Sequence, residues 1–173
     1  MFHAFDNDGP NQPLQRQQWM ALLARAPLAV LEPALGHYLD RPAGRAVHWL
    51  RRPEVGLMMV QGRAGGTGER FNLGEVTVTR CALRLQEATG ALAGVAWVLG
   101  RNQRHCMLAA VADALLQDPA RQAQLDAELL EPVRQHLRLL AHERSNRAQS
   151  TRVDFFTLAR ESDGGANEED DEQ

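Results

Sequence analysis

The chain has 173 residues, 44% of them apolar and 24% charged, with a formal net charge of −3 at pH 7. This length and composition predict one globular domain, and the charge gives no reason to expect binding to nucleic acid or to an anionic membrane. The apolar runs are shorter than the roughly 20 residues of a membrane span, and no signal peptide is recognisable. We therefore expect a cytoplasmic protein.

The two ends of the chain are predicted to be disordered. Residues 1–12 are polar and rich in turn-forming residues, and residues 161–173 carry most of the negative charge. Neither segment has the apolar content that a packed core requires. We expect a single domain over residues 13–160 and an acidic tail that is dispensable.

The order of the predicted elements indicates an α+β fold. Apolar stripes predict a helix over 13–26 and a second helix from Leu28 to Leu39, kinked or restarted at Pro33. Strand-like segments follow at 46–50, 54–62, 75–86 and 92–100. Their connections are too short for crossover helices, so we expect an antiparallel four-stranded meander.

The third predicted strand changes the parity of its apolar positions. Val76 and Val78 belong to one face, whereas Cys81, Leu83 and Leu85 belong to the other. Either a bulge near residues 79–81 or burial of both faces would explain the change.

Helices are predicted again after Gly100. Asn102 and Asp118 are candidate N-caps, with Pro119 at the first helical position after Asp118. Pro132 is expected to split the second of these helical segments. Residues 152–159, RVDFFTLA, then predict a short last strand before the acidic tail.

A glycine-rich stretch, VQGRAGGTGERFNLGEVTVTRC at residues 60–81, resembles a phosphate-binding loop at first sight. It lacks the Lys-Ser/Thr ending and the following helix of a Walker A loop, and it lacks the GxGxxG spacing of a dinucleotide site. Two interpretations stay open, a long hairpin loop or a loop that holds an anion or a partner. The candidate binding residues are Arg63, Gly65, Gly66, Thr67, Gly68, Glu69 and Arg70, with Arg80 in the strand that follows.

A second candidate is GRNQRHC at residues 100–106, where a strand runs into a helix. Free backbone N–H groups at a helix start favour anions, and Arg101 and His105 stand one helical turn apart. An ordinary arginine-rich turn explains the same pattern. The remaining histidines show no metal-binding spacing, and the two cysteines, Cys81 and Cys106, are interpreted as small buried residues. No catalytic constellation is recognisable, so we expect no catalytic residue, metal or cofactor in this chain.

Four segments, in this order, carry a family resemblance: RQQWMALLARA, EVGLMMVQGRAGGTGERFNLGEVTVTRCALRL, WVLGRNQRHCMLAAVADALLQ and TRVDFFTLAR. Over residues 16–160 the chain resembles PhnG, the G subunit of the bacterial carbon–phosphorus lyase core complex. Two departures are the extra acidic residues at the end and Cys106, where small residues such as alanine are common in the family.

The resemblance implies a role in phosphonate catabolism within a two-fold hetero-oligomer of G, H, I and J subunits. PhnG acts with PhnI, PhnH and the ATPase-like PhnL to transfer methylphosphonate to the ribose C1′ of ATP, and adenine is released. The iron–sulfur cluster and S-adenosylmethionine belong to PhnJ, which later cleaves the carbon–phosphorus bond. Because PhnI carries the nucleosidase-like chemistry, the resemblance implies a required but non-catalytic subunit.

Two alternatives remain open at this stage. One is a stand-alone phosphate- or nucleotide-binding enzyme that uses Arg63, Arg70, Arg101 and His105 together. The other is a generic adaptor protein. ATP binding by the isolated chain would favour the enzyme, and co-purification with larger partners would favour the subunit.

Overall fold

A computed structural model of the chain describes residues 14–40, 47–87 and 90–151. A three-stranded antiparallel sheet with strand order β1-β2-β3 carries helices on one face. The α+β prediction is therefore confirmed. The elements are α1 (Arg16–Leu23), α2 (Leu28–Leu39), β1 (Val47–Arg63), β2 (Arg70–Glu87), β3 (Gly90–Leu99), α3 (Gln103–Leu116), α4 (Pro119–Leu125) and α5 (Glu131–Ser150).

Among the described residues the sheet has three strands where four were predicted. Residues 47–50 of the first predicted segment and all of 54–62 belong to the single strand β1, which continues past Pro53. The pairing with β2 shifts register between Trp49 and Arg51 and again between Arg51 and Glu54. Because β1 is an edge strand, irregular pairing at this point accommodates a proline without ending the strand.

Strand β2 begins at Arg70, five residues before the predicted start at residue 75. Its pairing with β3 keeps one register from Val78 to Glu87. No bulge in the pairing with β3 therefore explains why Val78 and Cys81 face opposite sides of the sheet. Thr79 is buried on the face that packs against the helices, and Val78 is buried on the other. Of the two explanations for the parity change, burial on both faces is correct here, and the irregular pairing lies between β1 and β2 instead.

Helix α3 is the centre of the fold. Almost every residue from Cys106 to Leu116 is buried, and the helix packs against all three strands as well as α1, α2 and α4. At Gly94 in β3 the contact is so close that a Cβ atom would lie 1.9 Å from the carbonyl oxygen of Ala110. The backbones of α3 and β3 therefore meet at a position that only glycine can occupy without displacement.

Both predicted N-caps are confirmed. The Asn102 side chain accepts a hydrogen bond from the His105 N–H at 3.0 Å, and the Asp118 side chain accepts one from the Ala120 N–H at 3.0 Å. The split expected at Pro132 is wrong, because the chain stays helical from residue 119 to residue 150, with a π-helical turn at 126–130 just before Pro132 in the first turn of α5. Pro33 lies inside α2, which continues through it.

Several predictions fall outside the described residues, namely the last strand at 152–159, the polar start and the acidic tail. In the described part of the chain no single helix is long and apolar enough to span a membrane. The one helix pair that would suffice by length and composition, α1 with α2, is bent by 109°.

Candidate partner-docking surface

The long hairpin formed by β1 and β2 extends beyond β3. The last residue of β3, Leu99, pairs with Val78, and the hairpin continues from the pair Leu57–Thr77 to the pair Arg63–Arg70. At about 3.3 Å per residue, these eight β2 residues extend roughly 25 Å. We call residues 57–77 the arm.

The tip of the arm is a tight turn rather than a phosphate-binding loop. Gly65 and Gly66 have φ values of 58° and 84°, which is the left-handed region that favours glycine. The Gly68 N–H donates to the Ala64 carbonyl at 2.8 Å, and a Cβ atom on Gly68 would lie 2.7 Å from that oxygen. A strand, not a helix, follows the turn, so the tip provides no helix N-terminus for an anion.

Two arginines face each other at the base of this turn. Arg63 pairs directly with Arg70 across the hairpin, and Arg63 Nη1 donates to the Gly68 carbonyl at 3.3 Å. Arg70 is exposed and forms no ion pair with another described residue. Like charges directly opposite each other repel, so an anionic group that binds between them is favoured. Thr67 and Glu69 are exposed beside them.

The arm exposes large apolar side chains. Leu57 and Leu73 are 65% and 63% exposed, and Met58, Met59 and Phe71 are each exposed by more than two fifths. Leu57 and Met59 lie on the side of the sheet that carries the helices, so the helices do not reach the arm. Both faces of the arm are therefore open, which is costly for a free protein and typical of a binding surface.

On the side of the sheet away from α3 the apolar surface continues from the arm into the sheet. Met58, Phe71 and Leu73 share this side with Leu99 and Trp97 of β3, which are 72% and 53% exposed. We call this side the open face. An apolar groove of about 220 Å³ beside Trp97, between α1 and β3, is lined by Met20, Ala21, Leu23, Ala24, Val95, Ala96, Trp97 and Ala109.

A charged group interrupts the apolar surface at Arg80. Glu54 Oε1 accepts hydrogen bonds from Arg51 Nη1 and from Arg80 Nε, each at 2.6 Å. The hydrogen bond from Arg51, followed by the one from Arg80, lowers the pKa of Glu54. Two guanidinium groups share one carboxylate, so the group keeps a positive excess that suits an acidic partner surface.

The second predicted cluster serves mainly to hold the helices together. His105 Nε2 lies 2.8 Å from the Leu23 carbonyl oxygen at the end of α1. The neighbouring Arg104 binds Glu32 of α2 and Asp40 at the C-cap of α2, with Nε 3.1 Å from Glu32 Oε1. Arg101 is exposed and forms no ion pair with a described residue.

The structure does not bring the two predicted clusters together. Arg101 follows Gly100, whose N–H binds the Thr77 carbonyl at 2.8 Å at the base of the arm. Arg70 lies seven residues before Thr77 in β2, and seven residues of extended strand span roughly 23 Å. Arg63 and Arg70 are therefore remote from Arg101 and His105. Nor do any three His, Cys, Asp or Glu side chains among the described residues gather as a metal-binding group.

The sequence interpretation did not identify four exposed apolar residues, namely Leu57, Phe71, Leu73 and Leu99. Met58, Met59 and Trp97 are also exposed, whereas Trp19 is buried. The signal was present in residues 55–60, VGLMMV, which lack the polar alternation of a strand with one solvated face.

A profile of the family described as "Phosphonate metabolism protein PhnG" matches residues 14–161. The chain belongs to the PhnG family. It is also 42% identical over 149 residues to the alpha-D-ribose 1-methylphosphonate 5-triphosphate synthase subunit PhnG of Rhizobium meliloti (strain 1021). This alignment covers 86% of the chain and 91% of the relative. The resemblance predicted from the sequence is thus confirmed.

The matched PhnG region contains the whole described part of the chain, including the arm, the open face and the groove. The relative is, by its name, one subunit of a synthase. In this PhnG family member the most exposed apolar side chains of the sheet lie on the arm and at the end of β3.

Proposed function

We propose that this chain is the G subunit of an alpha-D-ribose 1-methylphosphonate 5-triphosphate synthase and contributes a docking surface rather than the reaction centre. The observation that carries the proposal is the exposed apolar surface of the arm, which continues to Leu99 and Trp97 on the open face. An apolar surface flanked by arginines fits a larger subunit with an apolar, acid-rimmed contact surface.

The reaction supported by the chain is, on this proposal, the transfer of methylphosphonate to the ribose C1′ of ATP with release of adenine. The partners are subunits of the PhnH, PhnI, PhnJ and PhnL types, in a two-fold hetero-oligomer. ATP is a substrate of the complex, and the iron–sulfur cluster and S-adenosylmethionine reside in the PhnJ-type subunit. The family membership and the synthase name of the relative support this assignment.

Within this proposal the tip arginines, Arg63 and Arg70, bind carboxylates of a partner subunit or a phosphate shared with it. Thr67 and Glu69 add polar contacts, and Gly65, Gly66 and Gly68 give the turn its shape. Arg80 acts through its pair with Glu54, and Arg101 is a peripheral contact. His105 is a positioning residue because it binds the end of α1.

Co-expression with the other synthase subunits tests the proposal. Leu57→Asp and Phe71→Asp each place a charge on the arm, and we expect at least a tenfold loss of co-purified partner subunits. The matched control is Leu139→Asp on α5, because Leu139 is 64% exposed and Leu57 is 65% exposed. This control should retain assembly and adenine release.

The two arm variants also separate docking from chemistry. Loss of assembly and of adenine release together supports a docking role. Loss of adenine release from a fully assembled complex would mean that the arm lines the active site. Retention of both properties in Leu57→Asp and Phe71→Asp would exclude the arm as the docking surface. ATP binding by the isolated chain would support the stand-alone enzyme instead.

A further inference from the structure

Cys81 and Cys106 lie side by side between the sheet and its central helix. Cys81 is on β2 and Cys106 is in the first turns of α3, and their sulfur atoms are 3.4 Å apart. The exposed fractions are 2% and 0%. Each thiol also contacts backbone oxygens, with Cys81 Sγ 3.3 Å from the Cys106 carbonyl and Cys106 Sγ 3.4 Å from the Thr79 carbonyl. The sequence, in which these residues are 25 positions apart, gave no reason to pair them.

A disulfide bond requires the two sulfur atoms to approach to about 2.0 Å. Because the two sulfur atoms already lie 3.4 Å apart, small rotations of the two side chains would bring them most of the way to this distance. We propose that Cys81 and Cys106 are a peroxide-sensitive thiol pair that closes to an intrachain disulfide joining β2 to α3. This inference is independent of the docking role proposed above.

The reaction takes two steps, with a peroxide as the oxidant. The Cys106 thiolate attacks one oxygen of hydrogen peroxide, forming a sulfenic acid and releasing hydroxide. The Cys81 sulfur then attacks the sulfenic sulfur, forming the disulfide, and the sulfenic oxygen leaves as water. Two thiols are oxidised and one peroxide is reduced to two molecules of water.

Cys106 is the thiol expected to react first. The hydrogen bond between the two thiols lowers the pKa of Cys106 against the effect of burial, whereas the same contact and burial raise the pKa of Cys81. Ala96, whose carbonyl lies 3.4 Å from Cys106 Sγ, also lines the apolar groove beside Trp97. A small oxidant in that groove would therefore be close to the layer that covers the thiols.

The bond would fasten the helix layer to the middle of the sheet. β2 is the central strand, and α3 packs against all three strands. A disulfide that closes a loop of this length restricts the unfolded chain and should raise the melting temperature by up to about 10 °C. Reduction with a dithiol should reverse the change.

The test uses the full chain, treated with hydrogen peroxide, then denatured and labelled with a maleimide. Before treatment both cysteines should be labelled. After treatment neither should be, the monomer should be lighter by two hydrogen atoms, and the melting temperature should rise. In both Cys81→Ala and Cys106→Ala, peroxide should cause neither the loss of two hydrogen atoms nor the rise in melting temperature.

Two results would overturn the proposal. One is that both thiols of the wild-type chain stay free under peroxide that oxidises an exposed protein thiol in the same tube. The other is that the disulfide joins two chains, seen as a dimer on a non-reducing gel. Because both results are read on the wild-type chain, the test does not depend on the folding of the variants.

Discussion

The Arg16 guanidinium binds both oxygens of the buried Asp113 carboxylate. Arg16 Nε lies 3.0 Å from Oδ1, and Nη2 lies 2.6 Å from Oδ2. The carboxylate also accepts hydrogen bonds from Trp19 Nε1 at 2.9 Å and from the Val95 N–H at 2.9 Å. This one side chain of α3 therefore joins α1 to the outer edge of β3, and its four hydrogen bonds balance the cost of burying a charge.

Replacing Asp113 with alanine should destabilise the fold by about 2 to 4 kcal/mol, because the buried donors of Trp19 and Val95 lose their acceptor. The loss should be less than that of a fully buried ion pair, since the Arg16 side chain is 45% exposed and can bind water. Denaturant unfolding of the isolated chain measures it. Glu143→Ala, on the exposed end of α5, is the control and should change stability by under about 0.5 kcal/mol. Equal stability of both variants would contradict the joining role of Asp113.

Gly94 and Gly56 form a matched pair of glycines in strands. A Cβ atom at Gly94 would meet the Ala110 carbonyl at 1.9 Å, whereas one at Gly56 would meet nothing within 4 Å. Gly94→Ala should therefore cost about 3 kcal/mol or more, because α3 must move away from the sheet. Gly56→Ala should be neutral or stabilising by up to about 1 kcal/mol. Thermal unfolding measures the stability of the two variants. A Gly94→Ala variant as stable as wild type would mean that α3 and β3 are not in close contact.

Arg104 and Glu32 should make part of the stability depend on pH. The hydrogen bond from Arg104 lowers the pKa of Glu32 from its ordinary value of 4.5. A carboxyl group with a lowered pKa in the folded state stabilises the fold above its unfolded pKa, and this contribution is lost as the pH falls through the folded value. The melting temperature of Arg104→Gln should thus be lower than that of wild type at pH 7. The difference should shrink below about pH 4, and a difference that stays constant to pH 2.5 would refute the pairing as its cause.

Arg70 is exposed in the isolated chain, so the effect of removing it depends on the complex. If a partner carboxylate covers it, Arg70→Ala should weaken assembly by about 2 to 5 kcal/mol, mostly through the stranded charge. If it stays at an exposed rim, the loss should be under about 1 kcal/mol. We expect the first outcome, measured by titrating partner subunits against the variant. Arg144→Ala, an exposed arginine on α5, is the matched control and should bind as wild type does.

Gly66 tests the shape of the tip independently of charge. Its φ of 84° disfavours any residue with a Cβ atom, while the space around it is open. Gly66→Ala should therefore distort the tip, leave the circular dichroism spectrum unchanged and reduce assembly. Gly90→Ala is the matched control, because Gly90 also has a positive φ, 127°, and open space around it, but it begins β3 at the end of the sheet opposite the arm. Normal assembly of Gly66→Ala would mean that the partner does not depend on the turn.

Short-range patterns in the sequence were sufficient for the local structure. Asn102 and Asp118 were recognised as N-caps because a cap depends only on a side chain and the next three residues. Gly65 and Gly66 likewise indicated a turn with positive φ, and the long, uncommon central block indicated the PhnG family. The predicted ends of the strands were wrong where strand pairing sets them. At Pro53 the sequence indicates a break between two strands, but β1 is an edge strand and continues through the proline.

The arrangement of the surface was decided only by tertiary structure. Whether Leu57 and Leu99 are core or surface depends on where α3 ends over the sheet, and no local pattern contains that information. The same holds for the contact between His105 Nε2 and the Leu23 carbonyl oxygen, which joins residues that are far apart in the sequence. Cys81 and Cys106, 25 positions apart, become neighbours only because α3 packs back across β2. Contacts between distant segments depend on how whole helices and strands pack. The sequence by itself therefore determined the local elements and the family. The packing decided which side chains are available for binding and for chemistry.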